Sequence, residues 1–168
     1  MATPEFILKL REKIGHDPLW LIGITAYVED AGGRILLGRR ADTGEWAPVY
    51  GIVDPGEEPA AAAAREVAEE AGIDVKPVAL ARVHAQKEPT VYPNGDQCQY
   101  LDLMFLCEPV GWKSGEPRAA DEENTDMGWF DPEELPEPLS ESAAERMAAM
   151  ITWKAQRDRG DCSALFSL

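Results

Sequence analysis

Apolar positions recur along this chain with two different spacings, and the switches between them mark out its elements. Phe6, Ile7, Leu10 and Ile14 fall at helical spacing, which predicts an amphipathic helix over 4–14 that stops at Gly15. Leu19 to Glu29 is rich in apolar and β-branched residues and reads as a strand. Asp30-Ala31-Gly32-Gly33 is a turn signal, and Arg34 to Arg39 a second strand, so the pair predicts a hairpin. A polar loop over 41–45 leads to an extended segment, Trp46 to Val53. Pro59 to Ala71 is the clearest helix. Proline suits a first turn, the alanine run has high helix propensity, and Gly72 is a natural stop. Val75 to His84 reads as a strand, and Lys87 to Asp96, with Pro89, Pro93 and Asn94-Gly95, as a loop. Gln99 to Pro109 is a strongly apolar strand and 114–126 an acidic loop. Met127 to Phe130 is a short strand, and 140–158 a last helix with Ser140 or Ser142 as its N-cap. No repeat or break in composition divides the chain. The expectation is one domain over 1–168, of the α/β (α+β) class, with a mixed sheet flanked by helices.

Composition narrows the functional classes. The 168 residues suit one ordinary domain, and a hydrophobic fraction of 45% can supply a core. A formal net charge of -15 argues against binding long nucleic acids, which calls for a basic footprint. It leaves room for a small anionic substrate if a metal ion supplies positive charge. Cys98, Cys107 and Cys162 are widely spaced and form no CxxC pair, so neither a disulfide framework nor a cysteine zinc site is expected, and a reducing cytoplasm is the simplest setting. The charges at Glu5, Lys9, Arg11, Glu12 and Lys13 do not suit a signal peptide. No apolar run approaches the roughly 20 residues that span a bilayer.

The chemistry concentrates in GIVDPGEEPAAAAAREVAEEAGI, residues 51–73. On a helical wheel Glu66, Glu69 and Glu70 share a sector about 100° wide, while Ala60, Ala63, Ala64, Val67 and Ala71 gather on another face. The wheel therefore predicts an apolar packing face with the carboxylates pointing elsewhere. Carboxylates at i, i+3 and i+4 repel, and these lie toward the helix C-terminus, where the dipole disfavours negative charge. Two unit charges about 4 Å apart cost roughly 4 kcal/mol at an effective dielectric near 20. Stability alone would not select this arrangement; a hard cation would relieve it, and oxygen ligands suit magnesium or manganese. Taken alone, Glu-x-x-Glu-Glu is more often a solvated acidic face.

The surroundings make the spacing specific. Gly51, Glu57, Arg65, Glu66, Val67, Glu69, Glu70, Gly72 and Ile73 fill every defined position of the Nudix box, Gx5Ex7REUxEExGU, where U is a bulky aliphatic residue. The chain thus resembles the Nudix hydrolases, of which MutT is a type. The resemblance implies an α/β/α sandwich with a mixed sheet between helices, and hydrolysis of a diphosphate linkage in a nucleoside diphosphate derivative with Mg2+, or Mn2+, as cofactor. It implies Glu66, Glu69, Glu70 and the backbone carbonyl of Tyr50 as metal ligands, with Glu57 and Arg65 orienting the glutamates. Family members often add a ligand or base from a later loop, and Glu123, six residues before Trp129, takes that place, with Glu122 as the alternative. The proton acceptor would be Glu66 or Glu123. Many relatives dimerise, so a homodimer is a partner the resemblance allows beside the small-molecule substrate. One departure stands out: the family commonly has Pro-Gly-Gly leading into the box, and this chain has Val49-Tyr50-Gly51.

The substrate side is less marked. Arg39 and Arg40 end the second strand, where arginines of the family sometimes meet terminal phosphates; Trp46, like Trp20 and Tyr92, could stack on a base. Pro89 lies where ADP-ribose enzymes carry a proline, and Tyr92 lies near a tyrosine of dinucleoside polyphosphate enzymes, so both branches stay open beside nucleoside triphosphates. His16 and His84 show no metal-ligand spacing, and no Ser-His-Asp arrangement or phosphate loop of the GxxxxGK[ST] type occurs. A non-catalytic nucleotide-binding module is the competing reading, weakened by the complete set of box glutamates.

Overall fold

A computed structural model of the chain describes residues 3–111 and 116–166. Three helices and eight strands follow in the order α1 (Glu5–Ile14), β1 (Leu19–Val28), β2 (Ile35–Arg40), β3 (Trp46–Ala47), β4 (Val49–Ile52), α2 (Pro59–Ala71), β5 (Val75–Ala85), β6 (Thr90–Val91), β7 (Gln97–Pro109), β8 (Asn124–Phe130) and α3 (Glu141–Arg157). The larger sheet runs β4-β1-β7-β5, with β6 added on β7; the smaller runs β3-β2-β8. β1 and β7 are parallel, while the β1–β4, β5–β7 and β2–β8 pairs are antiparallel, so the α+β class with a mixed sheet holds.

Helices cover both faces of the large sheet. On β1, Ile24, Ala26 and Val28 point into one core with Ala62, Ala63, Val67 and Ala71 of α2. Tyr27 points the other way, into a second core with Met147, Met150 and Trp153 of α3. Farther toward the start of β1, Leu21 packs on Ile7 of α1 and Cys98. Side chains alternate across a strand, so a strand covered on both faces is buried at successive positions, as 24–28 of β1 are. The β2 strand does the same work, sending Leu36 into the first core and Ile35 and Leu37 into the second.

Several boundaries differ from the expectation. The predicted hairpin of β1 and β2 is reduced to one bridge between Glu29 and Ile35, because β2 leaves to pair with β3 and β8. The turn itself forms, with Asp30 accepting from the backbone of Gly32 and Arg34. β8 begins at Asn124 rather than Met127, because its ladder continues to Arg40 across a bulge. The acidic loop predicted over 114–126 is correspondingly shorter, and its residues 114 and 115 lie outside the described residues. The loop predicted over 87–96 contains β6. Ser140 caps α3 by accepting from the Ala143 backbone N–H at 3.1 Å. Among the described residues no helix is long and apolar enough to cross a membrane.

The wheel expectation for α2 is corrected in an informative way. Glu66 and Glu70 are buried, 1% and 6% exposed, along with Ala62 one turn before. Only Glu69 faces solvent, while Ala60 is exposed and Ala64 only half-buried. The packing face of α2 thus includes two carboxylates, and the reason lies in what the rest of the fold sets against them.

Candidate active site

Gly51 explains how Glu66 can be buried. A Cβ at residue 51 would lie 2.3 Å from Cγ and 2.4 Å from Cδ and Oε1 of Glu66, so the carboxylate rests directly on the β4 backbone. Gly51→Ala is therefore expected to unseat Glu66 and to destabilise the protein by about 1–3 kcal/mol, the usual cost of overpacking. Urea denaturation checks this; an unchanged midpoint would show that the seat is not tight.

The Arg65 guanidinium organises the entrance. Its Nε and Nη2 donate to the two oxygens of Glu57, at 2.8 and 2.9 Å, and Nη2 also donates to the Ile52 carbonyl at 3.2 Å. Nη1 donates to Glu69 at 3.2 Å and lies 3.0 Å from Glu66 Oε1. The hydrogen bonds from Arg65 hold the Glu57 carboxyl below its ordinary range, and they raise the already high pKa of the guanidinium. Both residues accordingly stay charged across the working range of pH.

The two buried glutamates behave in the opposite way. Burial pushes the Glu66 carboxyl up to about 7; the Arg65 charge opposes this and the Glu69 charge adds to it. Burial likewise pushes Glu70 up to about 7, against a hydrogen bond from Asn124 and with the charges of Glu66 and Asp121 adding to the rise. Asn124 Nδ2 donates to Glu70 Oε2 at 2.8 Å. Space for that amide comes from Gly38 on β2, where a Cβ would lie 2.5 Å from Asn124 Oδ1. Asn124 and Gly38 escaped the sequence reading. An amide just after Glu122-Glu123 and a glycine within an apolar strand are the signals that could have pointed to them.

A cavity of about 440 Å³ opens over this cluster, lined by Pro4, Ile52, Asp54, Arg65, Glu66, Glu69, Asp121 and Glu123. Glu66, Glu69, Arg65 and Glu123 are thus brought together from distant parts of the chain, with Asp54 and Asp121 as acids not foreseen. The Glu123 loop is tied to β2, its carbonyl accepting from the Ala41 backbone N–H at 2.7 Å. Glu122 is exposed and off the cavity, and Glu70 lies behind it. Tyr50 precedes the seat in β4 and adopts ordinary strand backbone, since no described residue other than glycine has positive φ.

The three residues read as substrate contacts fare differently. Arg40 pairs with Asp42 through two hydrogen bonds of 2.9 and 2.6 Å, which are the main cause of its raised pKa, and the Glu70 charge adds to the rise. Arg39 donates to the Gly44 carbonyl at 3.1 Å and does not line the cavity. Trp46 is given over to packing: its ring meets Phe130 edge-on at 4.8 Å within the α3-side core, and its backbone pairs with Pro138 and Ser140.

The donor chemistry fits a hard divalent cation. Glu66 Oε1 is a buried oxygen that no hydrogen bond satisfies, its contact with Arg65 being an ion pair. The Glu69 charge adds to the rise of Glu66, and the Glu66 charge to that of Glu70, repulsions that a cation would relieve. Among the described residues no three carboxylates, histidines or cysteines already converge as a finished cage. A cation would therefore draw its ligands in from their Arg65 and Asn124 partners.

Comparison with known proteins agrees with the box. The chain is 33% identical over 130 residues, 77% of this chain and 76% of the other, to a MutT-like protein of Streptomyces ambofaciens. It is 28% identical over 138 residues to the 8-oxo-dGDP phosphatase NUDT18 of Mus musculus; this covers 82% of the chain but spans only 39% of that protein. Among solved structures, the MutT protein of Methanosarcina mazei shares the fold, with a TM-score of 0.62 at 21% identity over 84% of this chain and 97% of the other. The profile of the NUDIX domain matches residues 20–153, from β1 into α3, and the chain is a member of the Nudix hydrolase family.

Proposed function

We propose that the chain hydrolyses the diphosphate linkage of a nucleoside diphosphate derivative, with Mg2+ or Mn2+ held by Glu66, Glu69, Glu70, Glu123 and the Tyr50 carbonyl. The observation that carries this reading is Glu66, a carboxylate buried against Gly51, raised to about 7, and exposed on one side to a cavity that also receives Glu69 and Glu123. When bound, the metal supplies the positive charge that neutralises the phosphate oxygens in an otherwise acidic cavity. Water attacks one phosphorus; a P–O bond forms, the bridging P–O bond breaks with the leaving phosphate taking its electrons, and the proton passes to Glu66 or Glu123, both of which line the cavity. Arg65 keeps Glu69 and Glu66 oriented while Glu57 keeps Arg65 oriented, so the reacting geometry is prepared before substrate arrives. Arg40 lies near Glu70 and is suited to meet a terminal phosphate if it exchanges Asp42 for it.

The substrate class we favour is a nucleoside diphosphate or triphosphate. The activity of the NUDT18 relative, an 8-oxo-dGDP phosphatase, makes oxidised guanine nucleotides a first choice for testing. The experiment is a panel: GDP, 8-oxo-dGDP, 8-oxo-dGTP, ADP-ribose and a UDP-sugar with Mg2+, reading phosphate release directly and after added phosphatase. Turnover of guanine nucleotides above the sugar-linked members supports the reading. Preference for ADP-ribose moves the chain to that branch, and no turnover of any member with either metal overturns the proposal.

A further inference from the structure

We infer that Arg146 of α3 is a positioning residue, holding the Tyr50 ring and through it the β4 backbone against Glu66. The inference rests on the proposed role of the Tyr50 carbonyl and asks how a tyrosine serves where relatives commonly carry glycine. Tyr50 stands opposite Thr25 in the β1–β4 ladder, and Gly51 stands opposite Ile24. Side chains alternate across β4, so the face that receives Glu66 at Gly51 is not the face on which the Tyr50 ring lies.

On that second face one side chain gathers four elements. The Arg146 guanidinium lies 4.7 Å from the Tyr50 ring centroid. Its Nε donates to Thr25 Oγ1 at 2.8 Å, and Thr25 in turn donates to Asp102 Oδ1 at 2.8 Å. Its Nη2 lies 3.3 Å from Asp102 Oδ2, and its Nη1 donates to the Ser142 carbonyl at 3.1 Å. The Tyr50 hydroxyl shares a hydrogen bond of 3.2 Å with Ser142 Oγ. Arg146 thereby ties α3 to β1, β4 and β7, and its guanidinium carbon lies over the ring of the residue next to Gly51. Thr25 is fully buried and Asp102 is 5% exposed. A buried ion pair is a poor device for stability alone, since well-packed apolar residues usually serve as well or better. A planar, hydrogen-bonded guanidinium is a good device for fixing the orientation of a ring. None of these groups lines the cavity over Glu66, so Arg146 acts through Tyr50 and not on the reacting atoms.

The test uses Mn2+ binding by calorimetry on the full chain without nucleotide, together with kcat, KM and thermal unfolding. Arg146→Lys keeps a charge facing Asp102 but loses the stacked plane and the Nε bond to Thr25. Tyr50→Ala removes the ring and leaves the Arg146–Asp102 pair intact. Each is expected to weaken Mn2+ binding about tenfold, as loss of support behind metal ligands does, and to lower kcat with KM for the nucleotide unchanged. The double variant should lose no more than either single one, because both break the same link. Unchanged Mn2+ affinity in both single variants, or a raised KM alone, would overturn the inference, the latter by making Arg146 a substrate contact. Failure of the wild type itself to bind Mn2+ would instead strike the metal reading on which the inference stands.

Discussion

Glu70→Gln is expected to lower kcat/KM for the best nucleotide of the panel by roughly 10²- to 10³-fold, the usual loss when one charge-stabilising group is removed. The substitution is conservative in shape. Glutamine can still accept from Asn124 Nδ2, the contact that holds Glu70 at 2.8 Å, so the side chain keeps its place and loses only its charge. The fold should not suffer, and in metal-free protein at pH 8 the variant should be at least as stable as wild type. Burial and the Glu66 and Asp121 charges all make the ionised Glu70 unfavourable there. Activity and stability should therefore move in opposite directions. Steady-state kinetics with Mg2+ and urea denaturation in chelator measure the two. A fully active variant would remove Glu70 from the metal set, and an inactive variant that is also unfolded would show that the position is structural.

The second large effect concerns pH. With metal removed, wild-type stability is expected to fall as pH rises from 5 to 8, the reverse of what most carboxylates produce. Glu66 and Glu70 are both raised, from 4.5 to about 7. A group whose pKa is raised on folding contributes stability that is fully present below its unfolded value and is lost as pH climbs through the folded value. The loss therefore falls between about 4.5 and about 7, and each group contributes on the order of 3 kcal/mol, less for the two together because their titrations are coupled. The lowered carboxyls, Asp30, Asp42, Glu57, Asp96, Glu145 and Asp161, contribute in the opposite sense, but their stability is lost only in more acid solution, outside this window. His84, lowered by burial, works against the trend near 6.5 as a single half-buried group. Urea midpoints in chelator across this range should decline with pH. Mg2+ should restore stability at pH 8 more than at pH 5, because ligands must be ionised to bind it. A flat profile in chelator that Glu66→Gln leaves unchanged would mean the two carboxylates are not held in the folded state as described.

These two expectations share one cause. The fold places two carboxylates where burial alone would not keep them ionised, and the cavity over them collects more acid from Asp54, Asp121 and Glu123. Such a local loss of stability is what the proposed cation would offset, and the Arg65–Glu57 pair borders the same cavity.

The box, the helix that carries it and the glycine that stops that helix could be read from the chain alone, because local chemistry specifies each of them. Gly72 takes the left-handed cap with its N–H bonded to the Ala68 carbonyl, and Pro59 sits in the first turn, as their residue types dictate. The acidic face was misread for a related reason. A helical wheel ranks residues by polarity, and it has no means of knowing that a strand would present a bare glycine backbone to Glu66, or that Gly38 would clear space for Asn124 beside Glu70. Those partners lie well beyond the reach of a helix turn and became neighbours through β4 joining β1 and β8 joining β2. The contact of the half-buried Trp46 ring with Phe130 was hidden on the same ground, since a tryptophan reads alike in sequence whatever its ring meets. The Arg146–Thr25–Asp102–Tyr50 network left no trace in spacing at all, each member coming from a different element. Turn, cap and periodicity depend on residues a few positions apart. Burial of charge depends on long-range pairing of strands, and in this chain that pairing is what turns a row of glutamates into a site.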